Sequence, residues 1–222
     1  MKVVAIIPAR AGSQRLPKKN RKKLLGLSLI DWSINFVSKL KFVDDTIVST
    51  DDTIILNNIK KNKNTVKAFL RPKALSRSST KMIDVILHIL KKYEKNFDKI
   101  STILLLQPTS PLRSEKKINF GYKKYYYYKK KKSVVSVSNT NIDQKRNFKI
   151  KNNNLLLSRN KKNKKNIYQM NGNFYFASPS FLKKYKSFYF KNRTYPVVLN
   201  SKKLSSDIDT IYDFKKVEKF LT

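Results

Sequence analysis

The 222 residues predict an α/β protein with a mostly parallel central sheet, flanking helices and a small excursion of the dimerisation-arm type. Three observations predict it. Short apolar runs alternate with amphipathic stretches through the first half, which is the pattern of βαβ units. Each apolar run opens at its carboxyl end into a polar loop. An apolar fraction of 40% over this length can bury a genuine core and excludes a disordered chain, even with abundant Lys and Asn.

Val3 to Ile7 is the first buried strand. Leu29 to Leu40 follows as a helix with Ile30, Ile34, Val37 and Leu40 at apolar spacing. Thr46 to Ser49 is the second strand. It ends at Thr50-Asp51-Asp52, where the acidic pair suits the start of a helix reaching about Lys61. Val66 to Leu70 is a strand, Met82 to Tyr93 a helix, and Thr102 to Leu106 a strongly apolar strand closed by Gln107-Pro108. Tyr122 to Lys132 reads as a helix with Tyr on one side and Lys on the other, and Ser133 to Val137 as the next strand. Residues 139 to 166 are polar and repetitive, an excursion from the core that suits an oligomerisation arm. Ile167 to Ala177 is expected as a strand pair around Asn171-Gly172, and Asp209 to Leu221 as the closing helix. The whole chain, 1 to 222, is taken as one domain.

Open α/β sheets bind ligands at the carboxyl ends of their strands. The loops Pro8 to Asn20, Ser49 to Asp52, Arg71 to Thr80 and Gln107 to Arg113 should therefore converge on one site. The first of these is the most informative. It sets Gly12 beside Arg10, Arg15 and Lys19, so backbone N–H groups and cations together could cradle a phosphate chain, and a triphosphate is the natural fit. No Gly-Lys-Ser/Thr follows, which excludes a Walker loop, and the three-glycine dinucleotide fingerprint is missing.

Composition narrows the classes further. The absence of cysteine excludes disulfides, thiolate metal sites and cysteine nucleophiles. The amino-terminal apolar run is too short for a signal peptide and no later stretch could span a bilayer, so a soluble cytoplasmic protein without a membrane partner is expected. Fifty basic against fourteen acidic residues give a formal charge of +36, which would attract any polyanion. The cations are spread along the whole chain rather than gathered in one motif, so nucleic acid is not expected as a specific partner. The single histidine, His88, falls on an amphipathic helix where packing explains it better than catalysis.

The segment Ile7-Pro8-Ala9-Arg10-Ala11-Gly12-Ser13, with Leu16-Pro17 and Lys19-Asn20, resembles the nucleotide-binding loop of the CMP-sialic acid synthetase family, pseudaminate and legionaminate relatives included. Val48 to Asp52, Phe69 to Pro72, Asp84 to His88, Leu105 to Arg113, Asn171-Gly172 and Asp207 to Thr210 follow in that family's order and span nearly the whole chain. The resemblance implies a Rossmann-like nucleotidyltransferase fold, CTP and a nonulosonic acid as substrates, a homodimer, and Mg2+ as cofactor. It implies that Arg10, Ser13, Lys19 and Asn20 hold the CTP phosphates and cytidine, with Arg10, Lys19 and Asp209 as the catalytic set. Arg71 and Ser78 to Thr80, Ser79 among them, would lie near the base. Gln107, Thr109 and Ser110 would lie near the ribose and acceptor, and Asn171 would be a further substrate-binding position. Asp207 and Asp209 resemble the metal-binding carboxylates, and alternate residues of an extended segment can present both to one Mg2+. An N-cap role for Asp209 is the structural alternative.

This chain departs from the family pattern at three places. Gln14 stands where many members have Lys, Ser78-Ser79 where Asp-Thr is common, and Gln169 where Arg is usual. Arg159, Lys161 and Lys162 are then the candidate partners for the acceptor's carboxylate. The rival readings are an octulosonate cytidylyltransferase, which typically has Lys-Pro at Lys19-Asn20, an RNA-binding protein drawn by charge, and an inactive cytidylyltransferase.

Overall fold

In the computed structural model, residues 2–62, 65–140, 147–158 and 166–222 are described. The strands are β1 (Lys2–Pro8), β2 (Lys23–Leu24), β3 (Leu27–Ser28), β4 (Asp45–Thr50), β5 (Val66–Leu70), β6 (Ile100–Leu105), β7 (Ser133–Asn139), β8 (Phe148–Lys151), β9 (Asn154–Leu157), β10 (Tyr168–Ala177) and β11 (Thr194–Val198). The helices are α1 (Leu29–Val37), α2 (Thr53–Asn62), α3 (Met82–Asn96), α4 (Glu115–Tyr127), α5 (Pro179–Tyr185) and α6 (Ile211–Glu218).

The main sheet runs β11-β7-β10-β6-β1-β4-β5. Every pairing along this path is parallel except those of β10, which runs antiparallel between β6 and β7. This is the mostly parallel sheet the sequence predicts. Alternate residues of β1 separate onto its two faces, with Val4 and Ile6 in one buried cluster and Ala5 and Ile7 in the other. α3 and α5 cover the first face, and α1, α2 and α4 the second. A third cluster joins Leu16 and Leu112 to Ile208, Phe214 and Val217, fastening the first loop to the carboxyl-terminal segment.

Three sequence expectations change. The helix expected over Tyr122 to Lys132 starts seven residues earlier, because Ser114 caps it by accepting from the Lys117 amide. It stops before Lys129 and Lys130, which take left-handed φ values of 49° and 60°. Its tyrosines are partly core: Tyr125 is fully buried, and Tyr122 stacks on Phe42 with ring centroids 4.0 Å apart. Gly121 lies close against β10, where a Cβ would be 2.7 Å from the Phe174 ring. The second change is that Ile167 to Ala177 forms one strand with an irregular register between Met170 and Tyr175, not a pair of strands. The third is that the cap of α6 is Thr210, in a capping box with Asp213, so Asp209 is not an N-cap.

Elements that carry little periodic signal were not legible in sequence. β11, the short helix α5 and the β8–β9 hairpin are of this kind. The hairpin occupies residues 148 to 157 of the excursion and places Phe148 and Leu155 in the main core.

Candidate active site

Hydrogen bonds between neighbouring strands carry four loops to one end of the sheet. The Ala9 amide donates to the Ser49 carbonyl (2.9 Å), the Arg71 amide to the Thr50 carbonyl (2.8 Å), and the Leu106 amide to the Ile6 carbonyl (3.0 Å). These are the carboxyl ends of β1, β4, β5 and β6. Because β10 is antiparallel, its amino-terminal half reaches the same end, and the Gln107 amide donates to the Gly172 carbonyl at 3.3 Å.

A cleft of about 290 Å³ opens there. Arg10, Ser13, Lys19, Asn20, Arg71, Gln107, Thr109 and Asp209 all line it, along with Arg15 and Ser78. The first loop is shaped by bonds at its two ends. Thr50 Oγ1 donates to the Ala9 carbonyl (2.6 Å), the Ala11 amide to Asp51 Oδ1 (2.9 Å), and buried Asn20 gives its side-chain amide to the Arg10 carbonyl (2.9 Å). Asn20 is thus first a loop-shaping residue. The left-handed turn falls on Lys18, at φ 53°, rather than on Gly12.

Charge is concentrated on the wall made by the first loop and the carboxyl-terminal segment. Lys19 Nζ donates to Asp209 Oδ1 and to the Ile208 carbonyl, each at 2.9 Å, while Arg15 Nη2 meets Asp209 Oδ2 at 2.5 Å. The Ile208 amide is itself tied to the Thr109 carbonyl at 2.7 Å. Arg71 is buried and donates to the Ser49 hydroxyl (3.2 Å) and carbonyl (2.7 Å). Burial pulls its guanidinium below the ordinary value, Asp51 opposes that, and Arg10 adds to it.

Asp207 stands beside the cleft, outside its lining. It is open to solvent on one side, yet desolvation by the surrounding chain pushes its carboxyl up. The Thr109 hydroxyl counters this and the Asp209 charge reinforces it. Two carboxylates separated by one residue, with the Asp209 charge raising the proton affinity of Asp207, are the hard donors a divalent cation takes, but both Asp209 oxygens are held here by Lys19 and Arg15. Among the described residues no third His, Cys, Asp or Glu joins them, so other oxygens would have to complete such a site.

Three further expected residues lie off the cleft surface. Ser79 is exposed outside it, and Ser78 takes the lining position instead. Ser110 is buried and donates to the Asn171 carbonyl at 3.1 Å. The Asn171 Oδ1 atom accepts from Ser136 Oγ (2.6 Å), while its buried Nδ2 has no hydrogen-bond partner among the described residues. Gly172, at φ +72°, lets the Gln107 side chain lie where a Cβ would be 2.5 Å from Gln107 Oε1. His88 does not line the cleft. Its Nδ1 is buried, and burial, Lys92 and Arg71 together push its pKa down. Arg159, Lys161 and Lys162 lie outside the described residues.

Two residues were underweighted by sequence reading. Arg15 was one cation among many, and only its bond to Asp209 singles it out. Arg113, at the end of a recognised motif, donates to the carbonyls of Gln107 (2.6 Å) and Asn173 (3.1 Å) and to Ser33 Oγ (3.2 Å), which braces the loop that carries Gln107 and Thr109.

Comparison with known proteins agrees with this geometry. The family model described as Cytidylyltransferase matches residues 4–220. The chain is 32% identical to the CMP-N,N'-diacetyllegionaminic acid synthase of Legionella pneumophila, over 100% of this chain and 97% of that protein. It is 30% identical to the pseudaminic acid cytidylyltransferase of Campylobacter jejuni, over 97% and 94%. A solved structure of CMP:2-keto-3-deoxy-manno-octonic acid synthetase complexed with CTP superposes with a TM-score of 0.77 over 100% of this chain and 98% of that one. At 17% identity it speaks to the fold alone. The chain therefore belongs to the cytidylyltransferase family, in its nonulosonic acid branch.

Proposed function

We propose that the protein activates a nonulosonic acid with CTP, releasing pyrophosphate and giving the CMP-sugar. The observation that carries this is the gathering of Arg10, Ser13, Lys19, Arg71, Gln107, Thr109 and Asp209, from four separate stretches of chain, into one cleft at the carboxyl ends of the strands. The full-length relatives named for legionaminic and pseudaminic acids support a nine-carbon acceptor over an octulosonate.

In the reaction the anomeric hydroxyl oxygen of the sugar forms a bond to the α-phosphorus of CTP. The bond from that phosphorus to the bridging oxygen breaks, pyrophosphate departs, and the hydroxyl proton is released. Such transfers are accelerated mainly by positioning and by cations placed where charge develops. Arg10 and Lys19 supply positive charge along the first loop, Arg15 adds an exposed cation at its rim, and Ser13 with the loop's amides supplies uncharged donors. Arg71 is held too rigidly by Ser49 to swing out, so it acts as a fixed wall of the nucleotide subsite. Gln107 and Thr109, on the loop braced through Arg113, line the same cleft and would meet the ribose and the acceptor. Asp207 and Asp209 would hold Mg2+, which when bound neutralises charge building up on the phosphates.

Two further features belong to this reading. A homodimer formed through the 139–166 excursion is what the family resemblance implies. A cytoplasmic location is in keeping with the fact that no helix among the described residues is long and apolar enough to cross a membrane.

The test is pyrophosphate release from CTP, with and without Mg2+, against legionaminic, pseudaminic, neuraminic and octulosonic acids. Release with at least one nine-carbon acid supports the proposal. Release only with the octulosonic acid reassigns the acceptor, and silence with every acid, accompanied by tight and steeply salt-dependent RNA binding, sinks it.

A further inference from the structure

Asp209 has both carboxylate oxygens engaged by cations, Oδ1 by Lys19 and Oδ2 by Arg15. The two partners differ in kind. The Lys19 side chain is 13% exposed and anchored a second time on the Ile208 carbonyl, so it is part of the wall. The Arg15 side chain is 67% exposed and rides on the rim of the first loop. Arg15 is also the only charged residue from Ala11 to Pro17, because position 14 is Gln. A divalent cation ligated by that oxygen competes with the arginine for it, and their like charges repel at that distance. A phosphate chain, by contrast, offers a guanidinium a bidentate acceptor carrying more charge than a carboxylate.

We infer that Arg15 is a positioning residue that works as an exchangeable latch. In the nucleotide-free protein it holds Asp209 Oδ2, and a triphosphate draws the guanidinium away and leaves that oxygen to the divalent cation. This rests on reading the cleft as a nucleotide and cation site. The exposure of Arg15 is what makes the exchange feasible, since solvent-exposed ion pairs are weak and can be traded for a better partner. Lys19, buried and doubly bonded, stays to orient the other oxygen. Nucleotide and cation thereby assist each other's binding through the protein, beyond their direct attraction.

The test uses Mn2+ as the probe and the full chain without nucleotide, with free Mn2+ followed by electron paramagnetic resonance. Arg15→Gln is expected to bind Mn2+ about three- to tenfold more tightly than the parent. Arg10→Gln removes the same charge from the same cleft but breaks no bond to Asp209, so its gain should be clearly smaller. The gain should vanish in Arg15→Gln combined with Asp209→Asn. The latch is overturned by equal gains in the two single variants, by a gain that survives Asp209→Asn, or by absence of Mn2+ binding in every variant. No nucleotide or acceptor is present in this measurement. A selective gain alongside silence in the pyrophosphate assay would therefore remove the proposed activity and leave the latch, and the reverse result would remove only the latch.

Discussion

Lys19 and Asp209, 190 residues apart in sequence, meet at 2.9 Å in the cleft, with the same ammonium also bonded to the Ile208 carbonyl. This bond closes the site, because it joins the loop after β1 to the segment before α6. A third buried cluster, Leu16, Ile208 and Phe214 among its members, holds the two segments together behind it.

Replacing Lys19 by Met keeps the stem and removes the charge. The expected result is a fall in kcat of about 10²- to 10³-fold, the usual scale for losing one preorganised electrostatic group. Steady-state pyrophosphate release at saturating CTP reads it, and a change confined to KM would show that Lys19 serves binding only.

Asp209→Asn should lower turnover even at saturating Mg2+, by a comparable factor. It should do so with little loss of stability, because the cap of α6 is Thr210 and remains intact. Unchanged turnover would remove Asp209 from the catalytic set.

Gly172→Ala imposes a left-handed φ on an L side chain and drives its Cβ against Gln107. A destabilisation of about 1–2 kcal/mol in urea unfolding is expected from the backbone alone. The contact with Gln107 can relax, because it involves the end of a flexible side chain, but only by moving Gln107 in the cleft. Activity should therefore fall further than stability does. In a double-mutant cycle with Gln107→Ala, the backbone cost should persist while the coupling to Gln107 disappears.

At the opposite end of the sheet, Asp45 accepts from Lys67, Tyr93 and Lys2. Desolvation pushes this carboxyl up, but the three hydrogen bonds and the Lys67 charge outweigh that and hold it below the ordinary value of 3.8. A depressed carboxylate contributes stability that is present above its unfolded value and lost as pH falls through the folded one. Asp45→Asn should therefore cost about 1–3 kcal/mol, constant from about pH 7 to about 5, with the gap to the parent narrowing below the ordinary carboxylate value. Chemical denaturation over that pH range checks the sign, and a gap that widened in acid would contradict it.

Arg113→Lys tests the brace behind Gln107. One ammonium cannot reproduce the guanidinium's bonds to Gln107, Asn173 and Ser33, so a loss of about 1–3 kcal/mol is expected with a fall in kcat/KM, both read on the same preparation.

The amino-acid sequence by itself determined the α/β class, the strands β1, β4, β5, β6 and β7, and the loops in which the site residues lie. Apolar runs and polar loops alternate with a period that only a buried sheet with flanking helices satisfies. It also determined which residue types could meet a triphosphate, since the cations and the paired aspartates sit in short motifs whose order is visible along the chain. It could not decide what those residues do to one another. That Arg15 rather than Gln14 faces Asp209, that Ser78 rather than Ser79 lines the cleft, and that Thr210 releases Asp209 from capping all depend on chain segments folded back from afar. The β8–β9 hairpin was hidden for a related reason, being a pair of short segments in a polar stretch, and β11 is a five-residue run interrupted by Pro196; the burial of both comes from strands remote in sequence. Local pattern fixes the faces of helices and strands, whereas bonds such as Lys19 to Asp209 exist only once the tertiary fold brings distant loops within hydrogen-bonding distance.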